Sequence, residues 1–147
     1  MKSDESVHKI CIAAIARHTM KPYEFKWTSF FRDPITANLE IFREVVLEEA
    51  ELPICTCFVN DSEWTLLTTR RVFSRDGSNQ YEQRIETIQD IAIGNFKGYG
   101  NLALLKGKLK ANTGERSPYF IETGKASMVM IYGIHTILKL VPMSNEG

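Results

Sequence analysis

The amino-acid sequence predicts an α+β fold: helices towards both ends of the chain flank a run of short antiparallel strands. Three observations carry this. Residues 3–19 and 124–141 repeat apolar side chains at helical spacing. Between Pro53 and Thr123, short stretches rich in β-branched and aromatic residues alternate with turn signals such as "NDSE" and "RDGSN". The connections have hairpin length, so the strands form a meander that curls into a sandwich or small barrel.

In the first helix, Val7, Ile10, Cys11, Ala14, Ile15 and His18 share a face. Ser3 suits the N-cap, Asp4 and Glu5 suit the positive end of the dipole, and Pro22 stops the helix. In the aromatic-rich "YEFKWTSFFRD", Tyr23, Phe25 and Trp27 alternate, which suits a short strand or extended segment. The spacing predicts a second helix from Asp33–Pro34 to about Leu52, with Ile35, Leu39, Phe42, Val46 and Ala50 on one face. About seven strands follow, at 54–59, 64–68, 71–75, 80–85, 91–96, 102–111 and 117–123. In the closing helix Met130, Ile134, Ile137 and Val141 share a face. Gly133 inside it costs about 1 kcal/mol relative to Ala. Such a helix suits the open edge or mouth of a barrel. The length, 147 residues, suits a single domain: a helical N-terminal element over 1–52 and a β-rich part over 53–141.

Eighteen basic residues balance eighteen acidic ones, so no bulk attraction to nucleic acid follows, and any electrostatic role rests on local asymmetry. Three cysteines, Cys11, Cys55 and Cys57, fit a reducing compartment better than a secreted disulfide scaffold. Asp4 and Glu5 precede an apolar run broken by Arg17 and His18, which is unlike a signal peptide. No stretch reaches the roughly 18 apolar residues that span a bilayer. A cytoplasmic protein is the expectation.

From Trp64 onward the chain resembles the bacterial pleckstrin-homology-like (PH-like) domains. The residues that carry this are "LLTTRRVF", with Thr68 and Arg71 at the places of a Thr-x-x-Arg-apolar element. "RIETIQDIAI" follows as an isoleucine-polar-polar-isoleucine segment, and a C-terminal helix comes last. The resemblance covers about 53–141. It implies a PH-like antiparallel barrel or sandwich with a closing helix, the first 52 residues being an addition. In lipid-binding members, phosphoinositides meet basic residues on the first two strands and their loop. Here that loop, "VNDSEW", carries Asp61 and Glu63 and no Lys or Arg, which disfavours a phosphorylated headgroup.

No catalytic, metal or cofactor motif stands out. Arg70 and Arg71 are adjacent, so on a strand they point to opposite faces, Arg71 pairing inside the turn and Arg70 in solvent. Cys55 and Cys57 share a strand face and read as small buried apolar residues. His8, His18 and His135 are isolated, and "GNFKGYGN" lacks the pattern of a phosphate loop. Trp27, Phe30 and Phe31 read as packing of the helical element on the strands.

Two charge stripes remain as candidate partner-binding surfaces. Glu40, Glu44 and Glu48, with Glu51 near them, recur by four on the expected second helix, where like charges disfavour one another unless cations face them. Lys106, Lys108 and Lys110 alternate on one strand and share a face, either as a contact surface or as guards of an exposed edge. The leading expectation is a non-catalytic module that binds a protein. One version is a bacterial immunity or adaptor protein covering a basic surface with its Glu40–Glu51 face. Membrane-lipid binding through the PH-like surface and a small enzyme with a dispersed site are the rivals.

Overall fold

The computed structural model describes residues 2–19, 21, 25–34, 43–92 and 103–141. Helix α1 spans Asp4–His18, and the Ser3 hydroxyl caps it by accepting from the Ser6 N–H at 3.2 Å. Five strands form one antiparallel sheet in chain order: β1 (Thr28–Phe30), β2 (Pro53–Asn60), β3 (Glu63–Thr68), β4 (Arg71–Asp76) and β5 (Asn79–Arg84). A 3-10 turn at Ile85–Thr87 leads to a second, three-stranded sheet of β6 (Ile88–Ala92), β7 (Leu104–Ala111) and β8 (Arg116–Glu122). Helix α2, Ser127–Leu140, closes the described chain.

The α+β class and the antiparallel meander are as the sequence predicts. The barrel is not: neither sheet closes on itself, and the strands form two open sheets. They pack through β8, which lies against β3, β4 and β5. There the Phe120 N–H donates to the Thr65 hydroxyl at 2.6 Å, and the Gln83 amide to the Ser117 hydroxyl at 3.0 Å. These bonds satisfy polar groups that burial would otherwise penalise.

The main core lies between the two sheets and the paired helices. Ile15, Ile54, Leu67, Ile85, Leu109, Tyr119, Ile121, Met130, Ile134 and Ile137 are fully buried in it. Ile85 and Ile88, the two isoleucines of "IETI", both point there. Gly133 earns its place by contact: a Cβ on it would lie 3.0 Å from Leu67 and 3.3 Å from the Cys55 sulfur. The glycine lets α2 press onto β2 and β3, at the cost in helix propensity noted above.

The expected helix over 33–52 needs correction. Residues 35–42, with Ile35, Leu39, Glu40 and Phe42, lie outside the described residues. The remainder, 43–51, forms no helix; it runs as turns and extended chain, and Ala50 takes a left-handed φ of 71°. Alternation replaces the helical period here: Val45 and Leu47 turn inward, whereas Val46 is 83% exposed.

Candidate functional site

The outer face of the five-stranded sheet follows from strand alternation. On β4, Arg71, Phe73 and Arg75 share one side, and the register sets Arg84 opposite Arg71, Leu66 opposite Phe73 and Trp64 opposite Arg75. The face is therefore an apolar floor of Trp64, Leu66 and Phe73 rimmed by arginines. Cross-strand like charges such as Arg71 and Arg84 repel, so the face needs anions.

Glu82, opposite Phe73, reaches Arg71 at 3.4 Å, and Glu86 pairs with Arg84 at 2.9 Å; residues 43–51 supply the other anions as a strap. Val45 and Leu47 pack on Trp64, Leu66 and Phe73, with Phe31 and Phe58 alongside. Glu44 pairs with Arg75, and Glu48 with Arg84 at 2.9 Å and with Arg70 at 3.0 Å. Glu51 forms a forked pair with Arg71, whose Nε donates at 3.0 Å. A second nitrogen of Arg71 donates to the Val46 carbonyl at 3.1 Å, and its guanidinium stacks 4.4 Å over the Phe73 ring. Two of these attachments differ greatly in weight. The Arg71 and Glu51 side chains are 8% and 0% exposed, and removing one partner of such a pair costs about 3–5 kcal/mol. The Glu44 and Glu48 pairs are half in solvent, where screening leaves them weak beside the buried pair.

The "TTRR" junction ties this together. The Thr68 hydroxyl donates to Glu51 and accepts from the Arg70 and Arg71 N–H groups at 3.1 and 2.9 Å. The Thr69 hydroxyl donates to Asp4 at 2.6 Å and accepts from the Leu52 N–H at 3.0 Å. Arg70 grips Asp4 through two nitrogens, at 3.0 and 2.9 Å. Arg70 precedes β4 in a bend, so strand alternation does not separate it from Arg71. Rather than pointing into solvent, it joins α1 to the strap.

These contacts set the carboxyl pKa values. Burial pushes the Glu51 carboxyl up, but bonds from Arg71 and Thr68 outweigh it and hold Glu51 below its ordinary value. Arg84, then Arg70, lowers Glu48. The bond from Arg70 lowers Asp4 against an opposing desolvation.

The acidic half of the predicted partner surface is thus engaged within the chain. Glu40 lies outside the described residues; Glu44 and Glu48 face arginines; Glu51 is buried, and no helical stripe joins the last three. The basic half stands differently. Lys106, Lys108 and Lys110 share one face of β7, as alternation requires, with Gly107, Leu109 and Ala111 buried on the other. A Cβ at Gly107 would meet the Tyr119 ring at 2.6 Å and the Ala92 carbonyl at 2.7 Å, so close packing forces glycine there. Because β7 is the central strand of its sheet, its lysines do not guard an edge. Lys106 pairs with Asp76. Among the described residues no carboxylate pairs with Lys108, Lys110 or Arg116, the last lying opposite Lys110 on β8.

The other candidates are structural where they are described. Cys11, Cys55 and Cys57 are buried free thiols, and burial pushes Cys11 and Cys57 up to about 12 and Cys55 well above its ordinary value. His8 is buried in α1 and donates to the Phe31 carbonyl at 2.8 Å. His18 stacks on Tyr132 at 3.9 Å, joining the two helices. Trp27 and Phe30 pack at the edge of the main core, and Phe31 in the cluster under the strap. "GNFKGYGN" lies outside the described residues. In the β2–β3 turn Asp61 is exposed, Glu63 is half-buried and accepts from the Asn60 amide at 3.3 Å, and the Ser62 N–H donates to Asn60 at 2.8 Å. A cleft of about 320 Å³ beside β1 is lined by Phe25, Thr28, Ser29, Phe30 and Arg32. Among the described residues no cluster of three His, Cys, Asp or Glu side chains is placed to hold a metal, and no helix is long and apolar enough to cross a membrane.

Sequence reasoning missed the arginine face. Its signal is the Arg-x-Phe-x-Arg alternation at 71–75, read together with Arg84 one hairpin later. Comparison of the chain with protein-family models, with curated proteins and with solved structures finds no match in any of the three.

Proposed function

We propose that the protein is a non-catalytic binding module of the adaptor type. It engages an acidic surface of a protein partner through Lys106, Lys108 and Lys110 on β7, extended by Arg116 on β8. The observation that carries this is a contrast within one chain of zero net charge. Each arginine on the outer face of the larger sheet meets a carboxylate, whereas Lys108, Lys110 and Arg116 meet none among the described residues. Among the described residues, Asp76 pairs with Lys106 and Asp90 lies opposite Lys110 in register without an ion pair, so the cations of this face are only partly balanced, which raises the local potential and favours anionic partners. The engaged carboxylates of Glu44, Glu48 and Glu51 remove the support for an immunity-type contact through an acidic face.

A kinship with PH-like domains is part of this reading. Residues 53–140 supply seven antiparallel strands followed by a helix, the order that the resemblance implies, with α1 and β1 as additions. Anionic membrane is the second reading, favoured by the same lysines and disfavoured by the acidic β2–β3 turn.

The test is capture of partners from native lysate by the wild type and by Lys106→Glu/Lys108→Glu/Lys110→Glu, alongside co-sedimentation with phosphatidylserine-containing vesicles at low salt. We expect captured proteins to be lost with the charge reversal and vesicle binding to be absent in both. Identical partner sets from the two proteins would overturn the protein-binding reading. Salt-sensitive vesicle binding by the wild type alone would replace it with the membrane reading.

A further inference from the structure

The strap sits on the arginine face as a ligand sits in a groove. It adds no strand to the sheet, whose order runs β1 to β5 without it. Its described backbone bonds at this site are few: Glu51 N–H to the Glu48 carbonyl at 3.1 Å, Glu48 N–H to the Glu51 carboxylate at 2.8 Å, and the Val46 carbonyl to Arg71. Side chains do the rest. Val45 and Leu47 cover the floor, while Glu44 and Glu48 reach the rim. The attachment is graded along the strap. The Glu51 end is anchored by a buried pair beside β2, and the Glu44–Glu48 part is held by pairs open to water. Exposed pairs and half-buried apolar side chains open with little free energy, and such regions open before the sheet beneath them.

Lifting residues 44–48 takes Val45 and Leu47 off the Trp64, Leu66 and Phe73 floor, which Phe31 and Phe58 still flank, between Arg70, Arg75 and Arg84. That surface has a defined complement: an extended peptide with apolar side chains at alternate positions and carboxylates flanking them. Arg supplies forked donors for those carboxylates, and the aromatic floor takes the apolar side chains. When the strap lifts, Arg70 keeps Asp4 and Arg84 keeps Glu86, while Arg75 loses Glu44 and the nitrogens of Arg70 and Arg84 that bonded Glu48 are freed; these donors favour an acidic occupant over a neutral one. We propose that this groove is a binding site for an acidic, hydrophobic-alternating extended segment of a partner protein, and that residues 44–48 are an internal competitor for it. The competitor lowers the apparent affinity by the fraction of molecules in which the groove is open. The site is separate from the lysine face of β7 and does not rest on it.

The probe is a fluorescent peptide with the strap's own sequence, REVVLEEAEL, titrated into the full chain by anisotropy. Two strap-weakened hosts are compared with the wild type: Val45→Ser/Leu47→Ser, and the milder Glu44→Gln/Glu48→Gln, which leaves the apolar contacts in place. Near-ultraviolet circular dichroism confirms that each host is folded. We expect the peptide to bind at least one folded strap-weakened host about ten-fold or more tighter than the wild type. Adding Arg75→Glu/Arg84→Glu to that host should abolish binding, as should replacing the peptide's glutamates by glutamine. Equal affinity for the wild type and for every folded strap-weakened host would overturn the proposal, as would binding that survives the arginine reversal. Concentration-dependent dimers that exchange straps between copies, with no peptide binding, would overturn the assignment to a partner segment.

Discussion

Arg71 and Glu51 form the buried joint of this molecule: a forked ion pair between the first residue of β4 and the end of the strap, with side chains 8% and 0% exposed. Thr68 bonds Glu51 from the side, and the Glu48 N–H bonds its other oxygen. The pair therefore has few unsatisfied atoms, which is the condition under which buried charges are tolerated. It also fixes the function of the conspicuous "TTRR" run, which neutralises an acidic segment of its own chain.

The carboxyl contacts give stability a defined pH dependence. Asp4, Glu48 and Glu51 are all held below their ordinary values, 3.8 for Asp4 and 4.5 for the two glutamates. A depressed folded pKa stabilises the fold above the unfolded value, and this is lost as pH falls through the folded one. His8 is depressed from 6.5, chiefly by burial against opposing backbone bonds. Its neutral form is thus favoured in the fold, and its contribution also falls as pH drops below 6.5. Urea midpoints measured across this range should decline in two stages, the first absent in His8→Gln. A midpoint that rises on acidification would contradict the assignments.

Gly107→Ala tests the packing of the smaller sheet. The added methyl meets the buried Tyr119 ring at 2.6 Å and the Ala92 backbone carbonyl at 2.7 Å, and a backbone atom cannot turn aside. We expect a loss of about 2–3 kcal/mol in chemical denaturation, as for other overpacked sites. A neutral effect would mean that β6 and β8 lie farther from β7 than described.

The three thiols should be inert in the folded protein. Burial pushes Cys11 and Cys57 to about 12, so little thiolate forms near neutral pH. Titration with a thiol-reactive disulfide should label Cys11, Cys55 and Cys57 only as the chain unfolds, at a common rate. Fast labelling of one of them in native buffer would remove it from the core.

Much of the architecture was legible because local and tertiary preferences agree. Ser3 caps α1, the strands from Pro53 to Glu122 follow alternation and turn chemistry except β6, which was expected at 91–96 and runs Ile88–Ala92 with 93–96 outside the described residues, and α2 presents Met130, Ile134 and Ile137 to the core. The strap was misread because they disagree. Its Glu, Leu and Ala content favours a helix, and its glutamates recur by four. The arginine face overrides that preference, since only an extended chain can send Val45 and Leu47 down while Glu44 and Glu48 reach the rim. No local window contains that information, because the arginines lie some 20 to 40 residues further on. The lysine face was legible from alternation alone; that β7 is a central strand was not.

The strap's attachment is tested most directly by a double-mutant cycle on Arg71 and Glu51, with stabilities from urea denaturation of the wild type, Arg71→Met, Glu51→Gln and the double variant. Each single change should cost about 3 kcal/mol, because it leaves a buried polar partner uncompensated. The double variant should cost less than their sum by about 2 kcal/mol. Additive losses, or single losses below about 1 kcal/mol, would contradict a buried pair joining the strap to the sheet.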